Sequence, residues 1–202
     1  MGSVVISIDA ELGWGFIDFE SPPIRRVECA REAWSFLCDR LDAHGIPATW
    51  AVVGHVFQES CDGDHSDHPA WPEWFERERG PWADRPDLTC GAGLVRRVQN
   101  ASVDHDIGGH TYSHVEFGKS TTSRETASAE LSRSVELAEE WGVDLRSFVF
   151  PRNNLGHRDV LAEHAVVLDD RDVALYGRSA GQPEVVVAGM GRQFETPALA
   201  FR

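Results

Sequence analysis

Asp106-Ile107-Gly108-Gly109-His110-Thr111-Tyr112-Ser113-His114 is the stretch on which the fold turns. Ile107 heads a brief strand that stops at two glycines, and beyond them two imidazoles stand four residues apart. Histidines at that spacing can meet one ion, either on one helical turn or on a tight loop after a strand. The glycines just before them favour the loop. Thr111, not Glu, follows the first histidine, so this is not the H-E-x-x-H helix of zinc proteases.

Outward from this stretch, strand and helix signals alternate. Val4 to Ile8 is a short apolar, β-branched run, followed by the turn Gly13-Trp14-Gly15 and a loop at Pro22-Pro23. From Arg25 to His44, Val27, Ala30, Trp34, Leu37 and Leu41 recur at helical spacing, and Gly45 closes the helix. Ala48 to Val53 is a second strand, Leu94 to Val98 a short helix. Thr122-Ser123-Arg124-Glu125 has the form of a capping box, with Ala127, Leu131, Val135, Ala138 and Trp141 as the apolar stripe behind it. Ser147 to Phe150 predicts a strand, Asp159 to His164 a short helix, and Ala165 to Leu168 and Gln182 to Met190 further strands. Repeated βα units imply an α/β fold with a parallel sheet or barrel, whose sites gather at the carboxyl ends of the strands. The length of 202 residues suits one domain over 1–202, interrupted by an inserted loop at about 58–92.

At the end of the first strand stand Asp9 and Glu11, two apart and able to face the same way from an extended chain. Acids there are costly unless paired or metal-bound. Two histidines and one acid from Asp9-Ala10-Glu11 make a three-ligand set with positions left for water and substrate. The ion lowers the pKa of its water and polarises a carbonyl, and the spare carboxylate can take the proton. A divalent cation is therefore expected, zinc foremost because imidazole suits it.

Composition narrows the partners. The formal charge is −14, from 33 acids against 19 bases, which argues against nucleic acid and against a polyanionic substrate. Lys119 is the only lysine. Scarce lysine among many acids suits a protein solvated at high salt, and equally an ordinary acidic protein. No apolar run approaches the ~20 residues of a membrane span. The N-terminus lacks a basic n-region, so it reads as a first strand and a cytoplasmic location is expected. Cys29, Cys38, Cys61 and Cys90 show no CxxC spacing, and Cys29 and Cys38 fall inside a helical pattern as small buried residues do. Asp62, Asp64, His65, Asp67 and His68 read as a solvated polar loop in preference to a second metal cluster. For Trp71 and Trp74, packing of the loop and stacking on sugar rings both remain open. Gly177-Arg178-Ser179-Ala180-Gly181 has the letters of a nucleophile elbow, but Pro183 and Val185 to Val187 leave no room for the helix that motif needs.

Four segments together resemble the polysaccharide deacetylase family, the NodB-homology carbohydrate esterases: Ser7 to Glu11, Ala48 to Gly54, Asp106 to His114, and Phe148 to Arg152. They run in the family's order over roughly the first 160 residues. The resemblance implies a distorted, incomplete (β/α) barrel and a hydrolase that removes acetyl groups from sugars, with water on a divalent ion attacking the amide carbonyl. It implies Asp9 as general base and Glu11, His110 and His114 as metal ligands. The acids two apart match one branch of the family, where adjacent aspartates are commoner. Arg152 resembles the arginine that steadies the catalytic aspartate, and Trp14, Trp71, Trp74 and Tyr112 are candidates to meet the carbohydrate.

The likeness fades toward the C-terminus. The family's Leu-x-His element, which carries the general acid, has no counterpart after His164. His157 and His164 do not sit in that context, and a truncated or diverged member is expected. Loss of the acid lowers turnover by ~10²–10⁴-fold. Two rival readings follow: a carbohydrate-binding protein without catalysis, and a small-molecule amidohydrolase of the allantoinase kind, which shares the branch with acids two apart.

Overall fold

The computed structural model describes residues 5–164. The expected strands at 165–168 and 182–190 and the loop at 177–181 lie outside these residues.

Three short strands form the centre: β1 (Ser7–Ala10), β2 (Thr49–Val52) and β3 (Asp106–Gly109). All pair in parallel, in the order β1-β2-β3. The register sets Ala10 opposite Val52, and Val52 opposite Gly109. All three strands therefore end at one level, and whatever follows them emerges at the same rim. Beyond β3, the expected strand at Ser147 to Phe150 is reduced to a single parallel bridge, Gly109 to Phe148. Gly109 N–H donates to Ser147 O and Val149 N–H donates to Gly109 O, at 2.8 and 2.9 Å. Gly108 makes this approach possible, because a Cβ there would lie 2.2 Å from Ser147 Oγ. The sheet of the described residues does not close on itself.

The elements between and after the strands are helical. In chain order they are α1 (Ile24–Ala43), α2 (Glu76–Arg79), α3 (Ala92–Gln99), α4 (Arg124–Glu140) and α5 (Arg158–Glu163). On α1 the residues Val27, Trp34, Cys38 and Leu41 are buried, and Trp34 stacks on Trp50 of β2 with ring centroids 5.4 Å apart. Cys29 corrects its expectation: it points to solvent, and all four cysteines are free. The capping box is also shifted. Ser123, not Thr122, caps α4, its side chain accepting from Thr126 N–H, while the Thr122 hydroxyl donates to Glu116 O.

The long segment between β2 and α3 carries the 3₁₀ turns Pro72–Phe75 and Pro86–Leu88 and the single turn of α2. Trp74 and Trp82 are buried in the main core. The loop is thus folded onto the body by its own aromatics. No helix of the described residues is long and apolar enough to cross a membrane.

Candidate metal centre

Glu11 is the first residue after β1. Its backbone leaves the extended form (φ −118°, ψ −17°), so the alternation that would align it with Asp9 ends there. The 3₁₀ turn Leu12–Phe16 follows and folds back under the Glu11 side chain. A Cβ on Gly15 would lie 2.0 Å from Glu11 Oε1. The glycine therefore leaves space that the carboxylate fills.

His110 is the first residue after β3, at the same rim. The stretch to His114 is a loop, as the two glycines suggested, and not a helical turn. Thr111 and His114 hold left-handed backbone (φ 59° and 66°), a conformation that costs about 1–3 kcal/mol per residue and needs support from its surroundings. That support is visible. Gly54 N–H and His55 N–H donate to Thr111 O and Tyr112 O at 2.8 and 2.9 Å. Ser113 donates from N and Oγ to the two oxygens of Glu130, at 2.8 and 2.5 Å. Trp74 Nε1 donates to Ser113 O and Oγ.

Glu11, His110 and His114 converge. Glu11 Oε2 lies 2.8 Å from His114 Nε2 and 3.4 Å from His110 Nε2. Both imidazoles are buried, and one ligand atom from each of the three residues lies within 4.8 Å of the others. His110 Nδ1 is 2.8 Å from Val149 O, which can only accept, so Nδ1 carries the proton. In a neutral ring Nε2 is then a bare lone pair aimed at a carboxylate, and it is buried without a hydrogen-bond partner. Such an atom needs either a second proton or a cation. This is the fit expected of a metal-binding histidine, whose far nitrogen is fixed by a backbone carbonyl. Burial works against the charge on Glu11, yet His114 and His110 hold its carboxyl well below the usual carboxylate range. Burial also opposes a proton on His110, and Glu11 nonetheless raises its pKa above the ordinary imidazole value.

The remaining candidates fall in different places. Asp9 is exposed on β1, and its charge acts on His110. Arg152 does not reach Asp9. Its guanidinium donates to Asp18 at 2.5 and 2.9 Å, to Glu116 at 3.0 Å and to Gly15 O at 3.2 Å. The expected partner is thus corrected: Arg152 braces the turn that carries Glu11. Burial would raise the Asp18 carboxyl, but Arg152 holds it below its ordinary value. Trp14, Trp74 and Tyr112 are buried. Trp14 Nε1 donates to Thr89 O, and the Gln58 amide nitrogen donates to the Tyr112 phenol oxygen at 3.3 Å. Trp14 and Trp74 have no open face on which a sugar could stack, while Tyr112 contributes to the wall of a cavity beside His65 and Arg133. Trp71 is half-buried against Trp74 and keeps an open side. His157 and His164 are engaged by Thr122 O and Ser128 Oγ.

Glu130 was not anticipated. It lies on α4 between Ala127 and Leu131, and its burial could have been read from an acid inside the apolar stripe. Residues 19–164 match the family model for polysaccharide deacetylase, a span that includes His110, His114 and Arg152 and begins after Asp9 and Glu11. No curated protein and no solved structure matches the chain.

Proposed function

The chain belongs to the polysaccharide deacetylase family, and from that premise we propose that it is a metal-dependent hydrolase removing acetyl groups from N-acetylated sugars or polysaccharide. The fold is read as the family's incomplete (β/α) barrel, one domain with the 58–92 loop inserted. The observation that carries the reading is the convergence of Glu11, His110 and His114 around the unpartnered His110 Nε2.

Glu11, His110 and His114 would hold the ion, and zinc suits two imidazoles and a carboxylate. When bound, it lowers the pKa of water and polarises the amide carbonyl. Asp9, exposed at the same rim, takes the water's proton onto a carboxylate oxygen. Val149 O keeps His110 in one tautomer, and Glu130 and Trp74 hold Ser113 so that His114 faces Glu11. Arg152 holds the Gly15 carbonyl and with it the turn beneath Glu11. Trp71 is the aromatic with a face free for a sugar ring.

Acetate release from acetylated chito-oligosaccharides tests this reading. Release is expected, abolished by a chelator and restored by zinc. His114→Ala is expected to lose one equivalent of zinc together with the activity, and Asp9→Ala to keep its zinc while losing ~10²–10⁴-fold in rate. Sugar binding without release would favour the non-catalytic reading. Unchanged metal content and activity in His114→Ala would overturn the proposal.

A further inference from the structure

We propose that His55, Cys61, His65 and Glu78 form a second cation site, a structural zinc centre that fastens the long segment between β2 and α3 to the rim of the sheet. The reading does not depend on the first site and shares no ligand with it.

The four donors come from three places. His55 lies in the 3₁₀ turn Gly54–Phe57 just past β2, Cys61 and His65 in the loop, and Glu78 on α2. One ligand atom of each lies within 4.8 Å of every other. His55 Nε2 is 2.9 Å from Glu78 Oε1, His65 Nε2 is 2.8 Å from Glu78 Oε2, and Cys61 Sγ is 3.5 Å from His65 Nε2. His55, His65 and Glu78 are buried and Cys61 is half-buried.

A second, independent observation points to a ligand. His55 Nε2 and Glu78 Oε1 are both buried and face one another, yet neither has a hydrogen bond of acceptable geometry. Two polar atoms so placed are satisfied together by a cation between them. The donor set then names its class. One sulfur, two imidazole nitrogens and one carboxylate oxygen suit tetrahedral zinc, and the thiolate disfavours magnesium and calcium. Four protein donors fill a tetrahedral shell and leave no position for a substrate, which makes the centre structural. An entry path exists. A cavity of about 770 Å³ is lined by Cys61 and His65 together with Tyr112 and Arg133, and none of Glu11, His110 and His114 reaches it.

The competing arrangement needs no metal: Glu78 accepts a proton-bearing nitrogen from each histidine, and Cys61 is a bystander. Cobalt substitution of the full chain separates the two, because only a thiolate ligand gives a sulfur-to-cobalt charge-transfer band in the near ultraviolet. The band is expected in the wild type. It should vanish in Cys61→Ser, and persist in His114→Ala, Cys29→Ser and Cys90→Ser, the last because its sulfur stands 4.0 Å from His55 Nδ1, outside the ligand set. Zinc analysis should show Cys61→Ser and Glu78→Gln each losing one metal equivalent relative to wild type. If Cys61→Ser does not fold, the wild-type cobalt spectrum decides alone. No band in the wild type, or an undiminished band in a folded Cys61→Ser, overturns the proposal.

Discussion

Gly15 has no side chain where Glu11 needs the room: the missing Cβ would stand 2.0 Å from Oε1. Gly15→Ala should therefore push the carboxylate away from His110 and His114. The expected result is zinc affinity weakened by ~10-fold or more, with the far-ultraviolet dichroism of the wild type. Competition against a chromophoric chelator measures it, and an unchanged affinity would remove Glu11 from the ligand set. Spacing made the metal triad legible, because acids at one strand end and histidines at another carry their meaning in local sequence. The partner of Arg152 was not legible. Asp18 stands 134 positions away, and nothing near either residue announces the other. Residue type also misled for Trp14. An aromatic ring suits a sugar face and a core equally, and only packing decides between them.

Element α4 carries the next consequence. Burial pushes Glu130 up to about 7 in spite of the bonds from Ser113, so the folded state favours its protonated form. A pKa raised on folding gives stability that is complete below the unfolded value and lost as pH rises through the folded one. The window for Glu130 thus runs from about 4.5 to about 7. His68 faces it at 3.2 Å, and burial pushes that imidazole down to about 4, which works in the opposite sense, giving stability lost as pH falls. Replacing Glu130 by Gln isolates the first of these. The stability advantage of the wild type over Glu130→Gln should shrink by as much as ~3 kcal/mol between pH 4.5 and pH 7.5. Urea unfolding at the two pH values reads the difference, and a constant advantage would reject the assignment. Elements with a full period were legible: α1, α3, α4 and α5 stand within two residues or so of their expected ends. The 58–92 loop was not, because its turns are too short to show a period. The cluster His55, Cys61, His65 and Glu78 escaped for the same reason, with His65 read among solvated acids while its partners came from outside them.

At the scale of the whole molecule, charge dominates. A formal charge of −14 repels itself across a small body, and salt screens that repulsion. The thermal midpoint should rise from dilute buffer to molar potassium chloride, and a flat or falling profile would reject a role for high salt. The order of the units was readable from alternating periods, and so was the rim at which the site lies. The reduction of the strand at 147–150 to one bridge was not, since the pairing that remains depends on Gly108 admitting Ser147 from a distant part of the chain. The common level of the three strand ends has one more consequence, in time rather than space. Glu11 and His110 are separated by nearly half the chain, and they become neighbours only when β2 has docked between β1 and β3. The triad is a long-range closure that must wait for the rest of the sheet, so ligation follows the rate-limiting step of folding. In Cys61→Ser, which leaves the triad as the zinc site under test, zinc should leave the refolding rate unchanged and slow unfolding, because an interaction absent from the transition state acts on the way out. Stopped-flow traces with and without zinc would show one limb of the chevron moving and the other still.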